Sequence, residues 1–301
     1  MSRHSISSIT VHELIEMSGL QGLVSGDSGM VVTGISQDSR EIQTGDLFCC
    51  VRGQKFDGRE FISMAIRNGA VAILVEERIS DIPEHIAQIE VEDVREAIGP
   101  LASAAFGFPS KSLSIVGITG TNGKTTTAAI LASILRVSGR TTEIIGTLSG
   151  VHTTPEAIDL QAMLARFVDT GVDSVVMEVS SHALAQYRVN GIVFDLAIFT
   201  NLGHDHLDFH GTQEDYFAAK ARLFHPTLAL HGVVNVDDPH GQLLLDVGAI
   251  PITAFSVTDA SNVSIGIDNC NLGTNRWFLF GCQRHRGCSC CRGLEDLSHE
   301  H

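Results

Sequence analysis

Apolar residues recur along this chain in two rhythms. In the first hundred residues a helical stretch at 11–17 is followed by Gly45-Asp46-Leu47-Phe48-Cys49-Cys50-Val51, which reads as a turn feeding a strand. Residues 58–68 carry Phe61, Ile62, Ala65 and Ile66 at helical spacing and stop at Gly69. Residues 71–75 are then an unbroken apolar run, short enough to be a buried strand. This β-α-β rhythm predicts a small mixed α/β domain over 1–109, with a linker where Phe106-Gly107-Phe108-Pro109-Ser110 interrupts the pattern. From 112 to about 255, apolar runs at 113–118, 174–177, 194–199, 232–236 and 251–255 alternate with helical patterns. That alternation predicts a parallel sheet with crossover helices, over a domain set at 110–260. The first three runs end in polar residues, where a doubly wound sheet places its ligands. Beyond about 259 the rhythm stops. Residues 264–267 offer one more strand, but 261–301 read as an aberrant or disordered tail.

Composition narrows the classes. The chain has 301 residues, enough for about two domains, and at 44% apolar it can bury a sizeable core. A net charge of −15 repels nucleic-acid backbones and anionic lipid, so neither is expected as a partner. No window approaches the roughly 18 apolar residues of a membrane helix. Glu13, Glu16 and Asp27 break any secretory signal pattern, so a cytoplasmic protein is expected. A monomer is expected too, although no pattern in the sequence reads the oligomeric state. Of seven cysteines, Cys49 and Cys50 adjoin, and Cys270, Cys282, Cys288, Cys290 and Cys291 crowd the end. That is no disulfide framework, and the tail lacks the matching distal pair that a zinc site needs.

The chemistry starts at Gly117-Ile118-Thr119-Gly120-Thr121-Asn122-Gly123-Lys124-Thr125-Thr126-Thr127, between a strand and an apolar helix at 128–137. Glycines let amides converge on phosphate, a helix N-terminus adds positive dipole, a lysine neutralises β/γ charge and a threonine hydroxyl can hold Mg²⁺. The nucleotide-binding candidates are Gly120, Thr121, Asn122, Gly123, Lys124, Thr125 and Thr126. The plainer reading is a glycine-rich turn. The common phosphate-loop spacing would need glycine at 118, where Ile118 stands. Glu178 ends an apolar run, where its carboxylate can ligate a metal or simply face solvent. His206 lies among His204, Asp205, Asp208 and His210, a density that suits a Zn²⁺ site or a polar loop. Lys220 sits on a short amphipathic helix, where a lysine is ordinarily solvated.

The loop resembles that of the Mur ligases, ATP-dependent amide-forming enzymes of peptidoglycan precursor synthesis, and of the related folylpolyglutamate synthases. Thr153-Thr154-Pro155, the run from Met177-Glu178-Val179-Ser180-Ser181-His182 to Gln186-Tyr187-Arg188-Val189, and Thr200-Asn201-Leu202-Gly203-His204-Asp205-His206-Leu207-Asp208-Phe209-His210-Gly211 narrow the resemblance. Together they look like the Mur branch that adds a diamino acid. Asp38-Ser39-Arg40 and Gly45-Asp46-Leu47-Phe48 resemble that family's uridine-binding domain.

The resemblance implies an N-terminal uridine-binding domain and a central ATP-binding domain. The substrates it implies are UDP-MurNAc-L-Ala-D-Glu, ATP and a diamino acid, meso-diaminopimelate ahead of L-lysine, joined through an acyl phosphate. It implies Lys124, Glu178, His206 and Lys220 as catalytic residues, and Thr125, Glu178, His206 and a CO₂-derived carbamate on Lys220 as Mg²⁺ ligands. Ser180, Gln186 and Arg188 would contact the precursor's sugar, diphosphate or peptide, Thr153 and Thr154 would bind its peptidyl portion, and Ser39, Gln54, Lys55 and Phe56 its uridine diphosphate. His152 stands where the family usually has asparagine. The family's third, Rossmann-like C-terminal domain is missing from the pattern, so a truncated chain that binds ligands better than it turns over is expected. A folylpolyglutamate synthase-like ligase or a non-catalytic precursor-binding protein are the alternatives.

Overall fold

A computed structural model describes residues 6–53, 57–148 and 153–258, together with the backbone of the strands Ile265–Asp268 and Phe278–Gly281. Gln54, Lys55, Phe56, His152 and the cysteine-rich end lie outside the described residues. Two α/β units follow one another.

The first is a five-stranded sheet in the order Leu23–Ser25, Ala87–Glu90, Ala72–Val75, Asp46–Cys49, Gly34–Ser36. Its last four strands run parallel, and Leu23–Ser25 joins the edge antiparallel. The helix Val11–Ser18 packs beside it. Thr10 and Glu13 cap each other's backbone at its start, and Gly19 at φ 69° closes it. Expected turns and strands fall in place here, but residues 58–68 split into a 3₁₀ turn, Gly58–Phe61, and a helix, Ile62–Arg67. Cys49 and Cys50 are buried free thiols on and just after a central strand.

The second unit is a six-stranded, wholly parallel sheet. Its order is Ile252–Phe255, Gly232–Asn235, Leu196–Phe199, Ser114–Thr119, Ser174–Glu178, Thr142–Ile145. Every residue of Ser114–Thr119 and Ser174–Glu178 is buried, which is why both read as unbroken apolar runs. The chain leaves Ser114–Thr119 toward one edge and Leu196–Phe199 toward the other. The crevice beyond those two neighbouring strand ends is the switch point at which such sheets bind ligands.

Three expectations change. The strand predicted from 194 begins at Leu196, because Asp195 turns its carboxylate inward to accept the Ile115 N–H (2.8 Å). Thr142–Ile145, which the apolar pattern did not mark, forms an edge. The supposed linker is packed: the helix Val94–Ala105 runs into a 3₁₀ turn, Pro109–Ser112, whose Pro109 and Ser110 are buried. Of the predicted 264–267, residues 265–267 fall on a strand, Ile265–Asp268, paired antiparallel with Phe278–Gly281.

Candidate functional site

The loop between Ser114–Thr119 and the helix Lys124–Val137 is held by the neighbouring strand end. Thr200 Oγ1 donates to Asn122 O (2.7 Å), and Asn201 Oδ1 accepts the Asn122 N–H (3.0 Å). Gly120, at φ 146°, presses so closely on Thr200 that a Cβ would collide with its hydroxyl. Only glycine suits both the dihedral and the space. The helix is entered through Gly123 at φ 86°, so its first amides open toward the crevice.

Two lysines converge on one loop carbonyl. Lys124 Nζ donates to Gly120 O (2.7 Å) and Thr121 O (2.9 Å), and Lys220 Nζ donates to the same Gly120 O (3.0 Å). Lys220 is only 1% exposed, so the solvated-surface alternative does not hold. It lies over the Tyr216 ring, one helical turn earlier on the helix Gln213–Ala221, with its nitrogen 4.4 Å from the ring centroid. Burial first, and the Lys124 charge second, push the Lys220 amine down to about 7, against the pull of Asp205. Burial also lowers Lys124, opposed by Glu178 and Asp205. Tyr216 Oη meets Thr121 Oγ1 (3.1 Å), and burial raises its pKa.

Glu178 is likewise buried rather than solvent-facing, at 1% exposure. Its carboxylate accepts from the Thr125 hydroxyl (2.8 Å) and the Thr147 N–H (3.0 Å). A helix-start threonine thus meets a strand-end carboxylate, the hard-oxygen pair that Mg²⁺ takes alongside phosphate oxygens. The residue types and their contact therefore fit that ion.

The next residues form a chain of contacts. Thr154 Oγ1 donates to Glu178 O (2.9 Å) and accepts the Ser180 N–H (3.1 Å), while Thr153 Oγ1 meets Thr147 Oγ1 (3.1 Å). Ser180 caps the short helix Ser181–Ala185. Arg188 forks onto Gln186 Oε1 (3.0 and 2.7 Å), donates to Thr154 O (3.1 Å) and pairs with Glu156 (2.7 Å). Burial, opposed by Glu156, lowers its pKa.

His206 is left-handed at φ 53° and rests near Asp205 (3.4 Å). Its ring stands edge-on to His182, with centroids 4.7 Å apart. His182 also packs on Phe209, and His210 Nε2 meets Ser181 Oγ (3.0 Å). Burial lowers the pKa of both His182 and His210. Among the described residues no three of His, Cys, Asp and Glu gather as a metal-binding group.

Ser39 lies apart, in the first unit, buried with its hydroxyl against Met64 Sδ (3.4 Å). Thr126 is exposed on the first helical turn. Thr200, Asn201 and Asp205 stand in the quoted sequence motif without a role assigned to them, whereas Thr147, Glu156 and Tyr216 have no part in the sequence reading. Of these last three only Tyr216 carries a local signal, its i, i+4 spacing from Lys220.

Residues 118–271 match the Mur ligase middle domain, half of this chain, and residues 31–106 match the Mur ligase family catalytic domain. The chain belongs to the Mur ligase family. It is 42% identical over 259 residues to the UDP-N-acetylmuramoyl-L-alanyl-D-glutamate--2,6-diaminopimelate ligase of Streptomyces avermitilis, a match spanning 82% of this chain and 51% of that protein. To the Clostridium perfringens enzyme of the same name it is 45% identical over 241 residues, spanning 76% and 49%. A solved structure of such a diaminopimelate ligase superposes with a TM-score of 0.72 at 28% identity, covering 87% of this chain and 55% of that one. MurF ligase of Thermotoga maritima in complex with ADP gives 0.51 at 27% identity, covering 74% and 50%. The chain spans about half the length of the curated relatives it matches. Among the described residues of this Mur ligase chain, no helix is long and apolar enough to cross a membrane.

Proposed function

We propose that this chain, with domains at 1–109 and 110–260, provides the precursor-binding and ATP-binding parts of a ligase that adds a diamino acid to UDP-MurNAc-L-Ala-D-Glu, meso-diaminopimelate being the favoured one. The observation that carries the reading is the convergence of Lys124 and Lys220 on Gly120 O, beside the Thr125–Glu178 contact. The Lys124 cation, a buried Lys220 amine lowered to about 7 and a threonine–carboxylate pair around one glycine loop suit phosphoryl transfer between anions, which calls for positioning and charge neutralisation more than for a protein nucleophile. The D-glutamyl carboxylate attacks the γ-phosphorus of ATP and ADP leaves. The diamino acid's amine then displaces phosphate from the acyl phosphate.

Loop amides 120–126 and Lys124 bind the triphosphate. Thr125 and Glu178, with His206 at a second position, would hold Mg²⁺, which when bound neutralises phosphate charge. Lys220, with its amine near neutrality, is suited to add to CO₂: nitrogen bonds to carbon, a proton leaves to solvent, and a carbamate anion results. Ser180, Gln186 and Arg188 contact the precursor's sugar, diphosphate or peptide, Thr153 and Thr154 bind its peptidyl portion, and Ser39 with Gln54, Lys55 and Phe56 holds its uridine diphosphate. ADP bound to the Thermotoga relative supports nucleotide use here.

Thermal unfolding tests the reading. Mg-ATP and UDP-MurNAc-L-Ala-D-Glu, added separately at a hundredfold excess over Kd, should each stabilise the chain by about 2.7 kcal/mol. Glu178→Gln should remove the Mg²⁺ dependence of the nucleotide shift. Shifts with both ligands but no acyl phosphate would leave a binding protein only, and absence of both shifts would overturn the proposal.

A further inference from the structure

The helix Val94–Ala105, which leads out of the first unit, carries Pro100 in its interior. Proline has no N–H, so the carbonyl four residues earlier, that of Glu96, loses its helical donor. That donor comes from the second unit: the Asn190 side-chain amide donates to Glu96 O (3.4 Å). The two backbones meet at the same place. A Cβ on Gly99 would run into the Asn190 carbonyl oxygen, and a Cβ on Gly191, itself at φ 79°, would lie 2.5 Å from Gly99 O. Obstacles made of backbone cannot swing aside as side chains do, so each glycine is needed for the other's approach.

The turn held in this way carries Gln186 and Arg188. Tyr187 within it is left-handed at φ 58° and lies under the Arg222 guanidinium, 4.0 Å from the ring centroid. Val189, fully buried, plugs into the core of the second sheet. Arg188 is thus flanked by a core anchor on one side and, two residues on, by the contact with the helix. Arg95 of the same helix is near enough for its charge to act on Arg188. We infer that the Gly99–Pro100 break and the Asn190–Gly191 turn form a keyed joint through which the first unit's helix sets the position of Arg188, with Asn190 as a positioning residue. The substrate side of this inference rests on the proposed function, whereas the joint itself rests on backbone geometry.

Gly99→Ala inverts an ordinary expectation, since alanine is normally the better residue in a helix interior. In the full chain, Gly99→Ala and Asn190→Ala should each speed hydrogen exchange at the amides of 187–191, leaving those of the helix Lys124–Val137 unchanged. Each should weaken UDP-MurNAc-L-Ala-D-Glu binding by roughly tenfold without altering Mg-ATP affinity, a split that general destabilisation would not give. Pro100→Ala restores an N–H for Glu96 O, so Asn190→Ala should do much less in that background than in the wild type. Unchanged exchange in both single variants, or equal Asn190→Ala effects with and without Pro100, would overturn the joint. Asn190→Ala adds no atom and carries the test if Gly99→Ala fails to fold. An Arg188→Ala control separates the two readings. If it leaves precursor binding intact, the proposed substrate role falls, while exchange and the Pro100 cycle still decide the joint.

Discussion

Near neutral pH, in decarbonated buffer, Lys220→Met is expected to raise the urea midpoint of unfolding, and its advantage should shrink as pH rises toward 10.5. Lys220 releases its proton at about 7 in the folded chain, against an ordinary value of 10.5. Between those values the unfolded chain binds a proton that the folded chain has given up, so wild-type stability climbs with pH across the window. Below about 7 the lysine is charged in both states and burial exacts its full cost, of order 5 kcal/mol. Methionine fills much of the same volume without a charge. It forfeits the cation–π contact over Tyr216, about 1–2 kcal/mol, and the bond to Gly120 O, an oxygen that Lys124 still satisfies. The net gain near neutrality is therefore a few kcal/mol. A midpoint difference that stays constant from neutral to alkaline pH would refute the assignment. Bicarbonate should then stabilise the wild type and leave Lys220→Met unmoved, because only an amine can become the anion that Lys124 neutralises.

Why some of this was legible and some not follows from where the information lies. Strands buried on both faces write themselves as apolar runs, so the centre of the second sheet and its switch-point loop could be read residue by residue. Thr142–Ile145 could not, since an edge strand with Glu143 exposed has no such run. Leu23–Ser25 and Gly34–Ser36, only three residues each, are too short to show a period. In the site, Glu178 was legible as a strand end, but its partner Thr147 is 31 residues away and is fixed only by the fold. The burial of Lys220 was hidden for a related reason. A lysine stem fits equally well along a wet surface, and what seals it here is a loop carbonyl 100 residues distant. The Asn190 contact spans 94 residues and depends on a missing N–H, which no local pattern registers.

Lys124→Ala is expected to weaken Mg-ATP binding by roughly a hundredfold or more while leaving UDP-MurNAc-L-Ala-D-Glu affinity unchanged, as calorimetric titration of each ligand would show. The lysine has two tasks. It staples the loop through Gly120 O and Thr121 O, and as the first residue of the helix Lys124–Val137 it brings a positive charge to that helix's N-terminus. Hydrogen bonds to charged groups contribute about 1.5–3 kcal/mol each, so losing two phosphate contacts gives the stated factor or more. Lys124→Arg separates the tasks: a guanidinium keeps the charge, but its planar fork cannot reproduce a compact ammonium seated between two carbonyls. If presented charge dominates, Lys124→Arg should recover much of the nucleotide affinity. If the staple dominates, it should bind as poorly as Lys124→Ala. Gly120→Ala gives the staple's upper bound, because its Cβ would drive the loop off Thr200 with both lysines still in place. Nucleotide affinity that survives both Lys124→Ala and Gly120→Ala would mean that ATP does not bind in this loop. Because Thr125–Glu178 and the Arg188 turn are held by other partners, a fall in precursor affinity of the same size would instead mean that the variants had unsettled the whole second sheet.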